Sequence, residues 1–115
     1  MKRLEFVGTA LDDLREFPLG ARRECGYQLD RVQRGLEPTD WRPMRSVGLG
    51  VCEIRVREDS GAFRVIYVAK LADRILVLHC FQKKTQKTQK TSDSDLALAT
   101  KRYARAGVAS GKGER

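Results

Sequence analysis

The sequence predicts an α+β fold: a short N-terminal strand, a helical hairpin, a three-strand antiparallel meander completing a small sheet, and a C-terminal helix. Three observations carry this prediction. Apolar residues recur at helical spacing from residue 10 to 34, alternate with period two from 51 to 83, and return to helical spacing after residue 92. The two links inside the alternating stretch are too short for a crossover, so its strands run antiparallel. The 115 residues make one domain, expected over 1–106 with a frayed, flexible glycine-bearing tail over 107–115. A chain of this size buries roughly two-thirds of its extended surface, enough for a core without staples. Its length excludes a multi-domain enzyme, a TIM barrel and a dinucleotide-binding fold with a substrate domain.

The elements follow in order. Residues 3–7 alternate as a short strand. Thr9 is placed to cap a helix, with Asp12 completing a capping box, and Ala10, Leu11, Leu14 and Phe17 form its apolar side. Pro18 stops that helix or starts the next. A second helix over 19–34 sets Ala21, Cys25, Leu29 and Val32 inward, and Gly35 ends it. Residues 36–50 contain Pro38, Trp41, Pro43, Gly48 and Gly50 and read as loop. Strands are expected over 51–57, 62–70 and 74–83, with turns at Glu58-Asp59-Ser60-Gly61 and Leu71-Ala72-Asp73. Ser92 or Asp93 caps the last helix, which runs to about residue 106.

Three cysteines, none in a C-x-x-C pair, and one histidine fit neither a disulfide scaffold nor a zinc finger. Cys52 and Cys80 lie in apolar runs and read as small core residues. The first dozen residues lack the apolar region of a signal peptide, and no stretch approaches membrane-spanning length. A cytoplasmic protein without a membrane partner is the expectation.

Lys plus Arg number 23 against 15 Asp plus Glu, a formal charge of +8. The excess is local. Residues 1–40 carry a net −1, residues 41–91 a net +7, and residues 92–115 a net +2. A charge confined to one part of a small fold can form a patch for nucleic acid or an acidic surface. Strand parity sets Glu53, Arg55 and Arg57 on one face of their strand and Cys52, Ile54 and Val56 on the other, against the helices. In the second strand Arg64 shares a face with Ile66 and Val68, while Phe63, Val65, Tyr67 and Ala69 face the other side. In the third, Leu76, Leu78, Cys80, Gln82 and Lys84 alternate with Ile75, Val77, His79, Phe81 and Lys83. Arg55 and Arg64 then form a cationic pair that Lys84 extends, with Arg64 and Lys84 facing the surface. This is either an ordinary surface ion pair with Glu53 or a groove whose arginine forks clamp phosphates. Lys83, Lys84, Lys87 and Lys90 meet no acidic neighbour before Asp93. They read either as a solvated linker or as phosphate contacts that add salt dependence. GLG at residues 48–50 lacks the strand–turn–helix context of a phosphate-binding fingerprint.

The run EIRVREDSGAFRVIYVAKLADRILVLHCFQKKTQKT, preceded by WRPMRSVGLGVC, resembles the RelE/HigB-type toxins of bacterial toxin–antitoxin pairs, closest to their phage-derived, HigB-like branch. The resemblance spans residues 3–106, and its most specific part is LHCFQKKTQKT. It implies a RelE-like fold with a concave basic sheet face, and a ribosome-dependent mRNA endonuclease that inhibits translation. It places the family's essential arginine at Arg64 and its other basic residues at Lys84, with Lys83 beside it, and Arg55. Glu53 stands where the best-known members carry lysine. Those members also have a C-terminal tyrosine acting at the nucleotide; Tyr103 lies too far into the last helix to match it, and Tyr67 is the nearer aromatic. The implied partners are a cognate antitoxin, typically of helix-turn-helix type, the 70S ribosome with its mRNA, and operator DNA for the toxin–antitoxin complex. No cofactor and no metal is implied.

Metal-independent RNA cleavage uses the 2′-hydroxyl as nucleophile and needs a base, an acid for the 5′-oxygen, and cations for the phosphorane charge. Arg64, Lys84, Arg55 and His79 are the candidates for the chemistry. Arg64 stays protonated and can fork two phosphate oxygens. Lys84 either does likewise or acts as acid if basic neighbours lower its pKa. His79 is either an acid–base group or a core hydrogen bonder in its apolar strand. Lys83, Arg57, Lys87, Lys90, Tyr67 and Arg45 are the candidate RNA contacts. Trp41 is a stacking platform or a plug over the core, and Phe81 a packing residue or a stacking one. The alternatives in function are a ParE-like poison of DNA gyrase and a non-catalytic, phage-derived nucleic-acid-binding protein.

Overall fold

The computed structural model describes residues 1–84, 88 and 90–107. The expected tail beyond residue 107 lies outside them, as does Lys87. Among these residues, eight elements follow the predicted order with one addition. They are β1 (Arg3–Phe6), α1 (Ala10–Arg15), α2 (Leu19–Gln33), β2 (Trp41–Pro43), β3 (Val51–Glu58), β4 (Gly61–Val68), β5 (Arg74–Gln82) and α3 (Asp93–Arg105). The addition is β2, inside the expected loop. Its three residues are too few to show alternation, and it exists because β3 offers it an antiparallel partner.

The five strands order as β1-β5-β4-β3-β2. The β3–β4–β5 meander is antiparallel throughout, and β1 joins its β5 edge in parallel, Arg3 opposite Arg74. All eight residues of the central strand β4 are buried, because helices cover the sheet on both sides. On one side α1 and α2 pack Ala10, Leu14, Ala21, Cys25 and Leu29 against Ile54, Phe63, Val65 and Val77. On the other, α3 sets Ala99 and Tyr103 against Ile66, Leu76, Leu78 and Phe81. Among the described residues no helix is long and apolar enough to cross a membrane.

Local chemistry explains the ends of the elements. Gly35 takes φ +82° just past α2, where a side chain would be strained. Ser92 is the N-cap of α3, its Oγ accepting from the Asp95 amide at 3.2 Å. The capping box expected at Thr9 does not form: its hydroxyl donates instead to Asp13 Oδ2 at 2.8 Å, and α1 begins without a side-chain cap.

One correction bears on the site. Period two does not hold along β5. Ile66 pairs with His79 but Tyr67 pairs with Val77, so Leu78 is an extra, bulged residue. The bulge reverses parity beyond it. Leu76, Leu78 and Phe81 face α3, while Ile75, Val77 and Cys80 face the α1–α2 hairpin. His79 and Phe81 consequently share the face of Arg64 and Ile66. Continued by two residues, that alternation brings Lys83, not Lys84, to the Arg64 side.

Candidate functional site

Arg55 and Arg64 stand directly opposite one another on β3 and β4, and Arg64 is in turn opposite Phe81 on β5. Like charges in register repel, so a counter-ion is needed. Glu53, two residues before Arg55 on the same face, supplies it. Its side chain is 0% exposed. Its Oε1 lies 3.2 Å from Arg42 Nε and 3.7 Å from Arg64 Nε. Its Oε2 accepts a short hydrogen bond from the Thr91 hydroxyl. Arg42 comes from β2, where it pairs with Glu53 across the ladder, and its Nη2 lies 3.5 Å from Thr91 Oγ1.

Arg64 is not the surface residue expected. Its side chain is 3% exposed, its Nη1 donates to the Phe63 carbonyl at 3.2 Å, and burial pulls its pKa below the usual arginine value, against the opposing pull of Glu53. Arg55, partly exposed, lies 3.8 Å from Asp40 Oδ1. Lys83 is buried, and its Nζ donates to the Lys90 carbonyl at 2.5 Å. Desolvation first, and then Arg64, Arg42 and Arg55, lower its pKa below 10.5. Arg42, Arg55, Arg64 and Lys83 therefore gather around Glu53, with exposed Asp40 at the rim. A cleft between the end of β5 and the start of α3, lined by Phe81, Lys83, Lys84, Lys90, Thr91 and Asp95, opens beside the cluster.

The other sequence candidates fall in different places. Lys84 is exposed on the bend after β5 and lines the cleft. Lys90 is exposed at the same rim. Arg57 and Arg45 are exposed, one near the end of β3 and one in the loop after β2. Tyr67 is on the opposite side of the sheet, buried in the core cluster of the α1–α2 hairpin across the ladder from Cys52; there it cannot meet a nucleotide held over Arg64. Trp41 lines a separate hollow with Tyr67 and Lys70. His79 is buried, its ring stacked on Phe81 at 4.7 Å, and its Nε2 lies 2.7 Å from Asp95 Oδ1 on α3. Its Nδ1 is buried with no hydrogen-bond partner among the described residues. In this geometry His79 ties β5 to α3.

Arg42 and Thr91 are absent from the sequence-based set. A three-residue strand gives Arg42 no readable face, and Thr91 meets Glu53 only through the chain's return after β5.

The profile of the family described as phage-derived protein Gp49-like (DUF891) matches residues 12–104. The chain belongs to the Gp49-like family. This family is associated with toxin–antitoxin systems and related to the RelE/HigB-like toxins. The match runs from α1 to α3 and takes in every residue of the Gp49-like chain's cationic cluster. No curated protein matches. The α+β sheet with its N-terminal strand and C-terminal helix agrees with a RelE-like fold.

Proposed function

We propose that this Gp49-like protein is the toxin of a type II toxin–antitoxin pair and cleaves mRNA on the ribosome without a metal. The observation that carries the reading is the gathering of Arg42, Arg55, Arg64 and Lys83 on one end of the sheet beside an open cleft. Four cations around one buried carboxylate retain a positive excess, which suits a phosphodiester whose charge grows in the transition state. Arg42 and Arg55 reach the surface and take the non-bridging oxygens, and Arg64 adds its charge from beneath. The 2′-hydroxyl gives up its proton to solvent water and its oxygen bonds to phosphorus, while Lys83, its pKa lowered by burial and by its cationic neighbours, protonates the 5′-oxygen as the P–O5′ bond breaks, leaving a 2′,3′-cyclic phosphate and a 5′-hydroxyl. Lys84, Lys90, Arg57 and Arg45 hold the flanking strand through its phosphates, and the ribosome orients the mRNA. A cognate antitoxin then acts by covering this face, and operator DNA is bound by the pair.

In vitro translation with primer extension tests the reading. Wild-type protein should yield truncated mRNA only in the presence of ribosomes, and Lys83→Ala should abolish the truncation while the variant stays folded by circular dichroism. Intact mRNA with wild-type protein, or DNA broken in the presence of gyrase, would overturn it.

A further inference from the structure

Glu53 is an expensive residue to bury. Removing a carboxylate from water costs several kcal/mol even after relaxation, and an apolar replacement of a buried ion pair is commonly as stable or more so. Stability therefore does not account for it. Its geometry does. One oxygen, Oε1, is shared by the guanidinium groups of Arg42 and Arg64, and the other is taken by Thr91. Arg64 lies beneath, 3% exposed, and Arg42 lies above, 34% exposed. With both oxygens committed and no exposed surface, the carboxylate is in no position to take a proton from a substrate. It can fix where two cations point.

We infer that Glu53 is a positioning residue, which holds Arg42 and Arg64 in one stack so that a phosphate arriving over Arg42 meets both charges. The inference rests on the reading that this face acts on RNA. Without the carboxylate, Arg42 and Arg64 repel each other and Arg55, and Arg42 loses the anion that fixes the direction of its Nε. RNA would still be attracted, because the cluster gains net positive charge, but the phosphate would no longer be held in the reacting geometry. A misplacement of about 1 Å is enough to cost about a hundredfold in rate.

The test compares Glu53→Gln, which keeps shape and removes charge, with Glu53→Asp, which keeps charge. Single-turnover cleavage on ribosomes gives the rate, and binding of mRNA carrying 2′-O-methyl groups gives the affinity. Glu53→Gln should lower the cleavage rate by about ten- to a hundredfold with affinity equal or tighter, and Glu53→Asp should recover part of the rate. Faster cleavage by Glu53→Gln would mean that Glu53 only damps the charge. A rate and an affinity that fall together with the folded fraction would mean that it only supports the fold. Either result overturns the inference. If Glu53→Gln does not fold, Thr91→Val removes the hydroxyl from Oε2, and an unchanged rate in that variant overturns the inference equally. A wild-type protein that cleaves nothing defeats the functional reading instead. Positioning is then read from the Arg42 Nε–H resonance, which should exchange slowly with solvent in the wild type and rapidly in Glu53→Gln; slow exchange in both would overturn it.

Discussion

Arg64 and Glu53 meet diagonally on one face of the first two strands of the meander, Nε 3.7 Å from Oε1, and both side chains are buried. The arginine that the sequence presents as a surface cation is a buried one, and its removal has consequences for the fold. Arg64→Ala strands a carboxylate in the interior with Arg42 and Thr91 as remaining partners, and should cost about 3 kcal/mol. Lys84→Ala, on an exposed bend, should stay within about 0.5 kcal/mol of wild type. Urea denaturation of both variants checks the contrast, and equal midpoints would refute it.

His79 and Asp95 link β5 to α3 through a 2.7 Å contact, and Asp95 also serves the N-terminal turn of the helix through Ser92. His79→Ala and Asp95→Ala should each destabilise by about 1–2 kcal/mol, with the double variant costing less than the two together. Amide exchange in α3 should rise in both, while exchange in α2 stays unchanged. Rates in α3 that do not move would show that the tether is inert.

Gly48 has no room for a side chain: a Cβ there would run into the ring of Tyr103. That ring is packed under α3, and its hydroxyl donates to the Leu49 carbonyl at 3.0 Å. Gly48→Ala should therefore lose about 1–3 kcal/mol, and adding Tyr103→Ala should make the alanine at 48 nearly neutral. A thermal melt of the single and double variants reads this directly. An equal penalty in both backgrounds would place the strain elsewhere.

Alkaline pH should weaken the fold through its buried acids. Burial pushes the Cys25 thiol from 9.0 up to about 12, and desolvation also raises Cys80 and the Tyr67 phenol. A raised folded pKa means that the unfolded chain loses its proton first. Stability is thus full below about pH 9 and declines as pH climbs toward 12, by up to about 1.4 kcal/mol per pH unit for each such group. Urea midpoints at pH 8, 9 and 10 should fall in order, and the decline should be shallower in Cys25→Ala. A flat profile would contradict the burial of these groups.

The order of elements was legible in the sequence because each carries its own period and its own punctuation: Pro18 before α2, Gly35 after it, Ser92 before α3. The face carrying Arg55 and Arg64 was legible too, since β3 and the first half of β4 alternate without interruption. Period two alone brings Lys84 to the Arg64 side, whereas the structure brings Lys83, because a single bulged residue, Leu78, reverses the parity of β5, and a bulge leaves no mark in an unbroken apolar run. Arg64 reads as a surface residue because the cover over it is assembled from distant parts of the chain: Arg42 lies before the meander and Thr91 after it. Parity tells which side a residue faces, not what later comes to lie upon that side.

The parallel pairing of β1 with β5 sets a condition on when this molecule can exist during synthesis. Arg3 must wait for Arg74 to leave the ribosome, and Glu53 must wait for Thr91. Contacts between such remote positions form late. A nascent chain thus emerges with its cations apart and its carboxylate unclaimed, and the charged face comes together only after the segment carrying Thr91 has followed the meander out.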